Sequence, residues 1–334
     1  MKFWAVLTLF ASARGAVVAT DSPASVIGRA NPYVAPFQTT VHPFGSPPAN
    51  ICAYESGPQK AENAIVLIAG RGGGPHTMSV ANEISKALLS APELGYSLFE
   101  VRMRSSLGSY GSFGTAEDIE DISALVEYLR KLGREKIVLL GHSTGCQDII
   151  QYSMLKDKVP SVDGFILQGP ISDREAFEHV LVKRDEMDSY HKALEYAKLA
   201  AHDAQYRAGD DILGWMPRWF MPEVIRNTPF TISRFHSLLN VGGGDDLFSS
   251  DLSSKAVSKV WTSLAKPAMV LHSGKDELVP DFVNKEELIS EWKAAAGSKV
   301  SDLSGVIPDA DHVISESGPA AWFCDRVVKF LQAL

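Results

Sequence analysis

The pentapeptide Gly141-His142-Ser143-Thr144-Gly145 follows directly on the apolar run Ile137-Val138-Leu139-Leu140 and precedes a stretch, residues 146–155, with apolar side chains at helical spacing. Strand, tight turn and helix in that order leave few folds open. A serine at the apex of such a turn has a strained backbone, and its neighbours must be small for the strand and helix to pass closely. Glycine on both flanks meets that need. The start of the helix also favours negative charge developing beside the serine. The sequence predicts a nucleophile elbow rather than an ordinary buried turn.

The rest of the chain supplies what such a turn requires. Ile65-Val66-Leu67-Ile68 is a continuous apolar run expected of a strand buried on both faces, followed by Gly70-Arg71-Gly72-Gly73-Gly74-Pro75 and a helical stretch through Leu89. Further strands are predicted over residues 97–103, 164–167, 268–271 and 299–307, and a leading hairpin over 37–44 and 51–55. Thr115 with Asp118 reads as a capping-box start of a helix whose apolar face carries Ile119, Ile122, Val126 and Leu129. Strands alternating with helices imply an α/β fold with a mostly parallel central sheet flanked by helices. From about residue 172 to 259 the strand pattern stops and residues 175–206 carry long helical periodicity, the place for a helical cap insertion. Within it, Trp215-Met216-Pro217-Arg218-Trp219-Phe220-Met221-Pro222 reads either as an apolar wall over the serine or as an anchor fixing the cap to the core.

Bulk properties narrow the function. With 334 residues and 45% hydrophobic content, the chain can bury one large core. A net charge of −8 without a Lys/Arg block gives nucleic acid and anionic membrane surfaces no electrostatic footprint. Residues 1–19, with Lys2, an apolar run and Ala11-Ser12-Ala13, read as a signal peptide and hence a secreted protein; the alternative is an apolar N-terminal element of a cytoplasmic one. That run is too short for stable membrane insertion. Cys52, Cys146 and Cys324 do not describe a disulfide framework, and Cys146 is assigned to the core. The glycines after Ile68 do not complete G-x-G-x-x-G, and no H-E-x-x-H or paired C-x-x-C occurs, so neither a cofactor nor a metal is expected.

A serine nucleophile needs a histidine to take its proton and a carboxylate to hold the histidine tautomer. Asp276 stands just past the strand at 268–271, and His312 lies in the loop after the last strand, which gives the chain order Ser, Asp, His. Asp173, after the strand at 164–167, is the rival acid. His142 is in the elbow with its side chain expected to point away. Two backbone N–H groups must face the developing oxyanion. Thr144 is one candidate; Arg71 is the other, with Gly72 as the alternative.

Residues 141–148, 169–176, 234–238 with 242–252, and 273–280 together resemble the fungal α/β-hydrolase family that includes the fusarinine (siderophore) ester hydrolases. The resemblance runs from about residue 51 to the end and implies the triad Ser143, Asp276 and His312. It departs from the family at Arg71, where an apolar residue is usual, and in the signal-peptide-like start. The expectation is a serine esterase acting through an acyl-enzyme on a small-molecule ester, with siderophore or other secondary-metabolite esters as the narrower reading. Acyl transfer by the same triad and a non-catalytic ligand receptor are the alternatives.

Overall fold

Every strand that reads as a continuous apolar run lies inside one sheet. The computed structural model describes residues 37–45, 51–206 and 214–334; the signal-peptide reading of residues 1–19 lies outside them. The hairpin β1 (Thr40–Pro43) and β2 (Cys52–Ser56) leads the chain, with Thr40 opposite Glu55. After it come β3 (Asn63–Ile68), β4 (Tyr96–Arg102), β5 (Ile137–His142), β6 (Gly164–Gln168), β7 (Ala268–Ser273) and β8 (Gly305–Ile307). They form an eight-stranded sheet in the order β1-β2-β4-β3-β5-β6-β7-β8, parallel from β4 through β8. Successive residues feed opposite layers. Val66, Leu139, Phe165 and Val270 meet helices α2 (Thr115–Lys131), α3 (Gly145–Leu155), α8 (Ser254–Trp261) and α9 (Lys285–Ala296). Leu67, Leu140, Ile166 and Leu271 meet α1 (Val80–Ser90) and α10 (Ser317–Gln332). Burial on both faces is why these strands lack polar alternation.

Between β6 and β7 the chain leaves the sheet and builds α4 (Asp173–Val182), α5 (Met187–Tyr206), α6 (Glu223–Arg226) and α7 (Ile232–Leu239). Phe177, Leu181, Tyr190, Met221, Phe230 and Phe235 give this excursion its own core. That core ends at Leu239, while Leu247, Phe248, Val257 and Trp261 pack with the sheet. The helical periodicity of residues 175–206 is not one helix: Arg184 and Glu186 both donate to the Leu181 carbonyl and Asp185 takes a positive φ of 56°, which ends α4 before α5 begins.

Two boundaries differ from the sequence reading for local reasons. The helix start is offset by one residue: Gly114 is the N-cap, and the Glu117 carboxylate accepts its N–H at 2.9 Å. Thr115 is thus inside α2, and Asp118 is turned into the interior. At the sheet edge the stretch 299–307 touches β7 at Val300 and then leaves it. There the Ser304 hydroxyl accepts the Val270 N–H at 3.0 Å, and regular pairing is confined to residues 305–307.

Candidate functional site

Ser143 sits between β5 and α3 with φ at +54°, in the left-handed region that an L-residue enters only at a cost. The flanking glycines are required by contact. A Cβ on Gly141 would lie 2.4 Å from the Gly145 carbonyl oxygen, and one on Gly145 would lie 2.4 Å from that of Ile68. The loop after β3 closes on the serine in the same way, since a Cβ on Gly70 would be 2.6 Å from Ser143 Cβ. Arg71 is thereby carried to the serine's side.

The carboxyl ends of β6, β7 and β8 bring up the other candidates. His312 Nδ1 is 2.8 Å from Asp276 Oδ2, both side chains being buried. Asp276 Oδ1 accepts the Leu278 N–H at 3.1 Å, and Glu277 accepts the His312 N–H at 2.9 Å. Gln168 links the halves: its carbonyl accepts the Ser143 N–H at 3.0 Å and its amide donates to the His312 carbonyl at 3.3 Å. No hydrogen bond joins Ser143 Oγ to the His312 ring among the described residues; such contacts often tighten only when substrate arrives.

The charges are arranged in one direction. Burial works against ionisation of Asp276, but the facing His312 ring and the Leu278 N–H hold its carboxyl below the ordinary range. Burial would likewise lower His312, yet Asp276 and Glu277 hold the ring above its ordinary value. The two nearby histidines are held neutral. Burial takes His142 down to about 3 and His272 down to about 4. Contrary to the expectation that it points away, His142 packs against His312 with ring centroids 4.8 Å apart, and its Nδ1 bonds the Gln168 side chain. Nothing in the local sequence announces this, because the two rings meet only when the sheet is complete. Glu277 and Gln168 were also missed, although Glu277 adjoins the chosen acid.

Asp173 does not reach His312. Its Oδ2 accepts from Gln147 Nε2 at 2.8 Å, and its Oδ1 lies 3.5 Å from Arg71 Nη1. Among the described residues, no backbone bond outside regular elements is donated by the N–H of Thr144 or Arg71. The aromatic stretch divides: Met216 and Met221 are buried in the excursion's core, whereas Trp215 and Trp219 are 55% and 78% exposed. The cavity beside the site is lined instead by Tyr110, Phe177 and Ile225, together with Arg71 and Leu278. Cys146 is buried in the core as expected, burial pushing its thiol well up, and Cys52 and Cys324 are unpaired. No group of three or more His, Cys, Asp or Glu side chains among the described residues is arranged to hold a metal ion.

A mostly parallel eight-stranded sheet with a strained serine at the β5–α3 turn defines the α/β-hydrolase class, and the protein is a carboxylic ester hydrolase of that class. The chain belongs to the family described as "Protein of unknown function (DUF1749)", which matches residues 30–332. It is 29% identical over 333 residues to the fusarinine C esterase sidJ of Aspergillus fumigatus, covering 84% of this chain and 92% of that one. An esterase of Emericella nidulans is 28% identical over 346 residues, covering 87% and 90% respectively. Among solved structures, the siderophore hydrolase EstB from Aspergillus fumigatus superposes with a TM-score of 0.74 at 27% identity, over 90% of this chain and 98% of that one. No helix of the described residues is long and apolar enough to cross a membrane.

Proposed function

We propose that Ser143, His312 and Asp276 are a catalytic triad that cleaves a carboxylic ester through an acyl-enzyme. The observation that carries this reading is the buried Asp276–His312 Nδ1 contact at 2.8 Å beside a serine in left-handed backbone. With Asp276 on Nδ1, the neutral ring keeps Nε2 free to accept the Ser143 proton as Oγ attacks the ester carbonyl. The N–H groups of Thr144 and Arg71 receive the oxyanion. Collapse of the tetrahedral intermediate breaks the bond to the alcohol, which leaves with the proton held by His312. Water then attacks the Ser143 acyl ester under the same general base and releases the acid.

The excursion between β6 and β7 acts in this reading as a cap: Ala176, Phe177, Val180 and Ile225 close a cavity against Arg71 and Leu278. The substrate class is an ester of fungal secondary metabolism, siderophore esters included, on the strength of the relatives' activities. Residues 1–19 are read as an export signal, which N-terminal sequencing of protein recovered from the culture medium tests. The central experiment is labelling with a fluorophosphonate probe, expected on Ser143 and abolished in Ser143→Ala together with ester turnover. An unlabelled wild type, or an active Ser143→Ala, overturns the triad.

A further inference from the structure

Arg71 supplies only its backbone to the chemistry above, yet its side chain is also committed to the site. Arg71 lines the cavity, whose other walls are apolar side chains of Ala176, Phe177, Val180, Val224, Ile225 and Leu278. Tyr110 completes the lining, but its hydroxyl is already engaged by Thr228 Oγ1 at 3.1 Å. Arg71 Cζ lies 4.3 Å from the centre of the Phe177 ring, a cation–π contact that helps hold the guanidinium in place. Nη1 is buried without a hydrogen-bond acceptor: Asp173 Oδ1 stands 3.5 Å away and does not complete a bond. Asp173 is meanwhile satisfied on its other oxygen by Gln147. A guanidinium has five donors, so one carboxylate at this distance leaves capacity for another. A buried unfilled donor costs free energy until an acceptor arrives.

Two of the cavity's lining residues, Arg71 and Leu278, adjoin the reacting groups. Arg71 follows Gly70, which touches Ser143, and Leu278 is the residue whose N–H holds Asp276. The cavity is also small: about 60 Å³, room for on the order of four or five water-sized groups. A short chain ending in an oxyanion fits those dimensions, and a bulky ring system does not.

We infer that Arg71 is a specificity-determining residue that selects esters carrying a carboxylate on a short acyl chain, a few bonds from the scissile carbonyl. The inference rests on the serine-hydrolase reading of the same site. The substrate's carboxylate would accept from Arg71 while its methylenes lie along Phe177, Val180 and Ile225. This subsite belongs to the Arg71 side chain and not to the oxyanion N–H, so the two contributions separate on substitution.

The test compares mono-4-nitrophenyl glutarate with 4-nitrophenyl valerate, esters of equal acyl length that differ by one negative charge. Wild type is expected to favour the glutarate in kcat/KM. In Arg71→Leu the glutarate-to-valerate ratio should fall by at least about tenfold, equivalent to about 1.4 kcal/mol, mostly through KM. Arg71→Lys should recover part of the ratio. Calorimetric binding of both intact esters to Ser143→Ala, with and without Arg71→Leu, repeats the comparison without turnover. A ratio unchanged by Arg71→Leu, or a wild-type preference for the valerate, overturns the inference while leaving the hydrolase standing. Arg71-dependent binding of the glutarate to Ser143→Ala, with no wild-type turnover of either ester, supports the subsite and overturns the hydrolase.

Discussion

Buried aspartates occur in two places near the serine, and they are treated in opposite ways. Asp276 faces one histidine, accepts one backbone N–H and is held below its ordinary range. Beneath the excursion, Asp118, Asp148, Asp173 and Asp245 share the guanidinium of Arg234, with Arg71 reaching Asp173 alone. Arg234 bonds Asp245 directly and donates to the Tyr110 carbonyl at 3.2 Å. Four carboxyls to two guanidiniums leave a surplus of negative charge, so burial prevails: Asp118 is pushed up to about 7, and Asp148 and Asp173 are raised as well. Burial is common to both regions. What separates them is whether each carboxyl has a partner of its own. The first arrangement keeps a charge beside the His312 ring, and the second stores protons where α7 meets the body.

The sharpest way to break this contrast is to remove the charge from the paired carboxyl. Asp276→Asn should lower kcat by about 10⁴-fold, because an amide donating to Nδ1 leaves the proton on Nε2, where Ser143 must bond. Fluorophosphonate labelling should slow in parallel while thermal unfolding stays cooperative. A variant that keeps its rate would mean that Asp276 does not orient the histidine. The same pair sets the pH dependence. His312 acts as a base only when deprotonated, and its ring is held above the ordinary 6.5, so kcat/KM should fall as pH is lowered with an acid limb centred above 6.5. Asp276 remains ionised across that limb, since its carboxyl lies below 3.8.

How much of this was legible in the sequence follows from the range of the forces involved. The inner strands could be read because burial on both faces imprints a continuous apolar run, and Ser143 because close packing forces glycine at 141 and 145. Asp276 and His312 could be placed by chain order, since each lies just beyond a strand's carboxyl end. The start of α2 was misread because the true N-cap, Gly114, has no side chain to signal it. Asp118 resembled a capping residue, but its surroundings are set by Arg234, far along the chain. The packing of His142 against His312 and the cavity around Arg71 are likewise products of assembly, which no local pattern encodes.

The shared cluster should fail differently from the pair. Arg234→Met removes the cation that four buried carboxyls face, and loss of one partner of a buried ion pair costs about 3–5 kcal/mol. Chemical denaturation should show that loss at neutral pH. Adding Asp245→Leu should recover part of it, because the double variant buries an apolar contact in place of an orphaned charge. If Arg234→Met unfolds at the wild-type denaturant concentration, the cluster is not an electrostatic joint between α7 and the body.

The smallest effect is also the most specific to the cluster. Asp118 has its folded value raised from 3.8 to about 7, by burial against the pull of the Ser105 hydroxyl and Arg234. Between those limits the folded protein keeps a proton that the unfolded chain has released, so this contribution is complete below 3.8 and is lost as pH rises through about 7. Asp118→Asn removes that titration. The stability of the variant should therefore decline less steeply with pH between 4 and 7, by up to about 1.4 kcal/mol per pH unit, the linkage of one proton. Turnover should stay near wild type, because Asp118 touches neither Ser143 nor His312. Asp148 is raised by burial and by the neighbouring carboxyls and persists in the variant, so some slope must remain. A slope identical to wild type would assign the stored proton to Asp148, and Asp148→Asn would then be the variant that flattens the curve.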